Sequence, residues 1–247
     1  MKFQTVFKRY ELKYLVTREQ QQAILSAMEP YMQLDAYGET IIRNIYFDTD
    51  NYRLIRRSIE RPMYKEKLRI RSYSQAEQFS TVFVELKKKF NSIVYKRRLP
   101  LPHQHAMDWI NGSADCPVDT QISREIDYFR NFYGKLKPSV FLSYRRFAYF
   151  DKSGTDFRVT FDDQILCRQE DMNLSSPVYG EPILDPELVL MEIKCSGGIP
   201  LWMTKVLSSM KIYKASFSKY GTAYENLIFN KTYLTAIKET TNYGITL

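Results

Sequence analysis

Apolar and charged residues alternate with a period of two along several stretches of this chain. In residues 64–73, Lys65, Lys67, Arg69 and Arg71 occupy one set of positions, and Leu68 and Ile70 the other. Successive side chains of a strand point to opposite faces, so such a stretch has a cationic face and an apolar face. The same division recurs elsewhere. Glu85 and Lys87 oppose Val82, Val84 and Leu86; Arg158, Thr160 and Asp162 oppose Phe157, Val159 and Phe161. Glu192 and Lys194 oppose Val189, Met191, Ile193 and Cys195, and Arg9, Glu11 and Lys13 share a face near the start. The spacing predicts strands over about 5–16, 41–48, 64–74, 80–89, 93–100, 139–150, 156–166 and 187–196, with Asn91-Ser92 as a short hairpin link.

Four segments carry the helical period instead. Residues 17–30 open at Thr17, an N-cap candidate with Gln20 three residues on. Residues 120–133 place Ile122, Ile126, Phe129 and Tyr133 on one face. Residues 200–211 begin at Pro200 after Gly197-Gly198, and a fourth helix covers 218–230. Each apolar stripe needs cover, and the apolar face of the sheet is the surface available. Helices outside leave the ionic face inward. Closed into an antiparallel β-barrel, such a sheet would have a polar, cationic interior with helices packed outside, an α+β fold class. An open sheet whose ionic face meets water satisfies the same periodicity. The mixed signs within the ionic rows, with Glu11, Glu85, Asp162 and Glu192 among cations, favour an enclosed metal–phosphate site.

Composition narrows the partners. The chain has 247 residues, 44% hydrophobic and 15% aromatic, enough for a substantial core in one domain spanning 1–247. Its 36 lysines and arginines against 28 acids give a net charge of +8, which favours anionic partners. Three widely spaced cysteines, Cys116, Cys167 and Cys195, form no C-x-x-C and fit reduced thiols in the cytoplasm. The N-terminus has no apolar signal region, and no stretch approaches a membrane span, so work at a membrane would need a membrane-protein partner. His103 and His105 sit in a Pro-flanked loop and are expected to face solvent without a cysteine to complete a zinc site. Neither a P-loop nor a G-x-G-x-x-G is present, and no nucleic-acid module is recognisable.

The motifs R-Y-E-L-K-Y (9–14), Y-F-D-T (46–49), L-R-I-R (68–71), V-E-L-K (84–87), V-Y-K-R-R (94–98), Y-R-R (144–146), R-V-T-F-D (158–162), L-M-E-I-K (190–194) and F-S-K-Y (217–220), in this order, resemble the VTC domain. That is the polyphosphate polymerase domain of the vacuolar transporter chaperone complex, within the CYTH or triphosphate-tunnel group. The resemblance implies an antiparallel tunnel that takes ATP and inorganic polyphosphate. It implies catalytic roles for Arg69, Arg71, Lys87, Arg158 and Lys219, and binding roles for Lys13, Lys96, Tyr144, Arg146 and Ser218. Glu192 matches the metal-binding glutamate, which would hold Mg²⁺ or Mn²⁺ with phosphate oxygens and water completing the shell.

Two positions depart from the pattern. Where the wider group has E-x-E-x-K, this chain has Arg9, then Glu11 and Lys13. That departure weakens a two-metal hydrolase reading and agrees with the VTC branch. Where the VTC pattern has K-F-S-K, Ser216 replaces the lysine, and Lys214 is the expected substitute. The implied function is a polyphosphate-forming phosphotransferase, with a triphosphatase or a non-catalytic polyphosphate- or nucleotide-binding module as alternatives. Phosphoryl transfer onto a chain end that is already ionised requires no general base, so the lack of an obvious catalytic His or Cys does not count against it. Glu85 is expected to act as a counter-ion that orients Lys87.

Overall fold

The computed structural model describes residues 10–60, 62–91 and 93–229. Arg9, the start of the first expected strand, Ser92 of the hairpin link and the last residue of the fourth expected helix lie outside these residues.

Nine antiparallel strands form one sheet: β1 (Tyr10–Thr17), β2 (Met32–Asp48), β3 (Tyr64–Ser72), β4 (Thr81–Phe90), β5 (Ile93–Pro102), β6 (Lys137–Asp151), β7 (Arg158–Arg168), β8 (Glu181–Pro182) and β9 (Leu188–Cys195). The strand order is β1-β9-β7-β6-β2-β3-β4-β5, with β8 added against β7. Residues of both edge strands, Glu11 and Lys13 of β1 and Lys96 and Arg98 of β5, line one cavity, so the sheet is rolled. Among the described residues no backbone ladder joins β1 to β5; Lys87 of β4 reaches Glu11 of β1 across the gap, at 3.2 Å. Two irregularities help the roll. The β2–β6 register shifts between Leu34 and Glu39, where Gly38 takes a φ of 58°, and the β6–β7 register shifts beside Gln164, whose φ is 48°. Such bulges bend a strand and increase its twist.

The outward face of the sheet is apolar and is covered in two places. The helix α1 (Arg18–Met28) and the helix α5 (Leu201–Ser209) bury Ile24, Met28, Met203 and Leu207 against Val159, Phe161, Met191 and Ile193. Helices α3 (His103–Asn111) and α4 (Gln121–Tyr133) bury Trp109, Ile110, Ile126 and Phe129 against Leu68, Ile70, Val84 and Leu86. α1 begins at the expected capping box, with Thr17 accepting from the Gln20 backbone and Gln20 from the Thr17 backbone. His103 corrects an expectation: it is the first residue of α3 and is buried, because β5 runs directly into the helix and the His103 amide donates to Ser80 at 2.9 Å. His105 is exposed.

A third apolar cluster lies at one end of the barrel. There α2 (Arg53–Ile59) and α6 (Lys219–Tyr224), which continues as a π-helical turn over Glu225–Phe229, pack with Ile42, Leu142 and Leu190. Asp48 organises this end. It is fully buried, and its carboxylate accepts from the backbone of Leu54 at 2.9 Å, of Ile55 at 3.0 Å and of Thr49 at 2.8 Å. The Tyr220 hydroxyl donates to Asp48 at 2.9 Å and also contacts Ser139 at 2.8 Å. The Tyr220 ring stacks on Tyr46, with centroids 4.5 Å apart. One carboxylate thus joins the start of α2 to the start of α6.

Tyr220→Phe leaves Asp48 and Ser139 without their shared partner inside the barrel end. The expected cost is about 1–3 kcal/mol of folding stability, read as a lower urea midpoint at unchanged slope.

Candidate functional site

Rolling the sheet brings the ionic rows together around one cavity of about 1030 Å³. That is the top of the range for ligand sites, roughly 300–1,000 Å³. Twelve lysines and arginines line it against five carboxylates. Lys13 and Glu11 come from β1, Lys67, Arg69 and Arg71 from β3, Glu85 and Lys87 from β4, and Lys96 and Arg98 from β5. Tyr144 and Arg146 come from β6, Arg158 from β7, Glu192 and Lys194 from β9, and Ser218 and Lys219 from the start of α6. Every site residue named from the sequence therefore reaches one cavity.

Burial of so many like charges requires counter-ions within the wall. Glu85 is 1% exposed and serves four cations: Arg69 at 2.7 Å, Lys96 at 2.6 Å, Arg98 at 2.7 Å and Arg71 at 3.9 Å. Burial alone would raise the Glu85 pKa; Arg69, Arg71 and Lys96 outweigh it and hold the group well below the usual carboxylate range. Lys87 is not among its partners. It pairs with Glu11, so Glu85 orients the arginines instead, because the register sets Arg69 and Arg98 directly opposite it.

A second group forms around β9. Asp162, with no exposure, takes a two-pronged bond from Arg146 at 2.6 Å and an ion pair from Lys219 at 2.6 Å. The Glu192 carboxylate lies 3.4 Å from Lys13 and Lys194, 3.5 Å from Lys219 and 3.7 Å from Arg146. Burial opposes ionisation of Glu192, and Lys219, Lys194, Lys13 and Arg146 more than reverse it. For Glu11, burial is likewise overcome, chiefly by Lys87, and its pKa falls to about 2. Arg158 reaches Asp35 at 3.6 Å near the exposed Tyr37.

Several contributors escaped the sequence reading. Asn44 accepts from Arg71 Nε at 2.9 Å and donates to the Leu142 carbonyl, and Arg71 also donates to the Tyr144 hydroxyl at 2.9 Å. Tyr46 accepts from Arg69 at 2.8 Å. Asn44 and Tyr46 alternate with Ile45 and Phe47, which is the signal that places them inward. Lys214 and Ser216 are exposed and do not line the cavity.

Among the described residues no group of three or more His, Cys, Asp or Glu is placed to hold a metal ion. Glu192 is a single ionised carboxylate facing the cavity beside cations. That donor set fits an ion that arrives on a triphosphate, as magnesium commonly binds through one or two carboxylates plus phosphate oxygens. It does not fit an ion held by protein ligands alone.

A rolled antiparallel sheet with helices outside and a charged interior defines a CYTH-like tunnel fold. The family described as VTC domain matches residues 8–228, and the chain belongs to it. A Bacillus halodurans structure provisionally described as an adenylate cyclase aligns at 17% identity and a TM-score of 0.55, covering 87% of this chain and 96% of that one. One from Vibrio parahaemolyticus, described in the same way, aligns at 11% identity and a TM-score of 0.47, covering 89% and 98%. The first of these likenesses bears on the fold alone. No curated protein sequence matches the chain significantly. No helix among the described residues is long and apolar enough to cross a membrane.

Two predictions follow from the buried charges. Glu85→Gln leaves three close cations without their carboxylate, and breaking a buried pair of this kind costs roughly 3–5 kcal/mol. The loss is expected in a thermal melt without ligand, with partial recovery on adding tripolyphosphate. The second concerns pH. Desolvation and neighbouring cations lower Lys67 from 10.5 to about 7. Between these values the unfolded chain binds more protons than the folded one, so stability rises with pH. The urea midpoint of the unliganded protein should therefore be higher near pH 9 than near pH 7.

Proposed function

We propose that the cavity binds a phosphate chain and a nucleoside triphosphate and moves the terminal phosphoryl group of ATP onto the chain end. The observation that carries this reading is the lining itself. Twelve cations face one another across the cavity, while the carboxylates that orient them, Glu85 and Asp162, are buried in its wall. Membership of the VTC domain family supports the same reading.

Arg69, Arg71, Arg146 and Arg158 present forked donors suited to phosphate oxygens. Glu85 fixes the orientation of Arg69, and Asp162 that of Arg146, so little reorganisation is needed when phosphate arrives. Lys13, Lys87, Lys96 and Lys219 add point charges. Tyr144 sets the Arg71 guanidinium, and Ser218 offers a hydroxyl at the α6 end.

In the transfer, a chain-end oxygen forms a bond to the γ-phosphorus of ATP as the bond from that phosphorus to the β,γ-bridging oxygen breaks. ADP leaves with the electron pair, and the product is one phosphate longer. The acceptor is already ionised, so the residues have positioning and charge neutralisation to perform, not proton abstraction. Mg²⁺ or Mn²⁺ bound with the triphosphate at Glu192 would supply further neutralisation of the phosphate oxygens.

The test is incubation of the protein with ATP and Mn²⁺, with and without a short polyphosphate primer, followed by a gel that resolves chain length. Long chains are expected, and Glu192→Ala should reduce their yield about a hundredfold or more. Free phosphate without chain growth would replace this reading with a triphosphatase, and binding without turnover with a polyphosphate- or nucleotide-binding module.

A further inference from the structure

The β3–β4–β5 register sets Lys67 opposite Lys87, and Lys87 opposite Lys96, in one cross-strand row. Like charges placed directly opposite are destabilising. The neighbouring row, Arg69–Glu85–Arg98, has a carboxylate at its centre. In the lysine row, Lys87 turns to Glu11 at 3.2 Å and Lys96 to Glu85 at 2.6 Å. Lys67 has neither. Of the twelve lining cations it is the one with no carboxylate in ion-pair contact among the described residues. Its ammonium donates to the Ser218 hydroxyl at 3.1 Å and lies 5.9 Å from the Tyr220 ring centroid.

Resting on the polyanion reading of the tunnel, we propose that Lys67 and Ser218 form a phosphate subsite at the α6 end of the cavity. Ser216 and Lys214 are both exposed and outside the lining, so the expected substitute does not reach the site and a lysine from β3 does. The charged groups acting most on Lys67 are Lys13 of β1, Lys87 of β4, and Lys65 and Arg69 of β3, all cationic, and the α6 end offers it the Ser218 hydroxyl and the Tyr220 ring. An incoming phosphate oxygen is the missing counter-ion. Because burial and these cations bring Lys67 to about 7, much of it is neutral above that pH, and anion binding there should draw a proton onto it.

The probe is inorganic tripolyphosphate, titrated by calorimetry near pH 8 without divalent metal, in buffers of different ionisation enthalpy so that proton uptake is measured. The wild type should bind with net proton uptake. Lys67→Met should bind about tenfold or more weakly and take up correspondingly fewer protons. Its melting temperature without ligand should not fall, since a cation with no carboxylate partner has been removed from among like charges. Lys67→Arg should restore most of the affinity without that proton, because a guanidinium stays charged. Lys214→Met, the same change in net charge on the surface, should match the wild type. Wild-type affinity and proton uptake in Lys67→Met would overturn the subsite while leaving the tunnel reading in place. Failure of the wild type to bind would overturn both.

Discussion

Packing twelve cations around one cavity is a problem of self-repulsion in a poorly solvated space, and a few buried carboxylates solve it. Glu85 and Asp162 sit in the wall, not in the cavity, and each holds guanidinium and ammonium groups in fixed directions. Glu11 and Glu192 share Lys13, and Glu192 and Asp162 share Lys219, so the charges alternate along one side of the cavity. The unliganded protein is thereby spared most of the cost of gathering positive charge, and the cavity keeps a positive excess. An isolated pair of such groups would add little to stability. Their value here is orientation. An arginine held along one edge by a carboxylate has its remaining N–H groups aimed elsewhere, and for Arg146 and Arg69 that direction includes the cavity.

The fold serves that arrangement by keeping two incompatible faces apart. Alternation along each strand sends Leu68, Ile70, Val84 and Leu86 outward to α3 and α4, and sends Arg69, Arg71, Glu85 and Lys87 inward. The ionic lining gives way at the α6 end to Ile42, Leu142 and Leu190, where α2 and α6 pack. The change of character takes place within single strands. Along β9, Leu190 belongs to the apolar end, while Glu192 and Lys194 belong to the cavity.

Much of this was legible from period-two alternation, because a strand's inward row is a property of spacing alone. The capping box of α1, and the helices α1, α4 and α5 that cover the sheet, were legible for similar local reasons. The first half of β2 was not, because Gln33–Thr40 shows no alternation; it pairs with β6 through the backbone around a bulge that leaves Tyr37 exposed. α2 was missed because seven residues rich in arginine carry no helical signature; its first amides are met by Asp48 from the preceding strand. α3 was hidden by the prolines before it, although Ala106, Trp109 and Ile110 have helical spacing. Which carboxylate meets which cation depends on register and roll, so sequence spacing points Glu85 to Lys87, whereas its partners are Arg69, Arg71, Lys96 and Arg98.

α6 has only six helical residues, too few for a helix to persist on backbone bonds alone. Its order comes from the Ser218 cap and from Tyr220, which is held at its hydroxyl by Asp48 and at its ring by Tyr46. Two cavity residues, Ser218 and Lys219, stand at the start of this element. Their placement is therefore a tertiary property, maintained by the barrel end and not by the segment that carries them. Amide exchange along α6 consequently reports on the integrity of the site itself, since opening this one turn removes a hydroxyl and an ammonium from the cavity while the nine-stranded sheet stays whole.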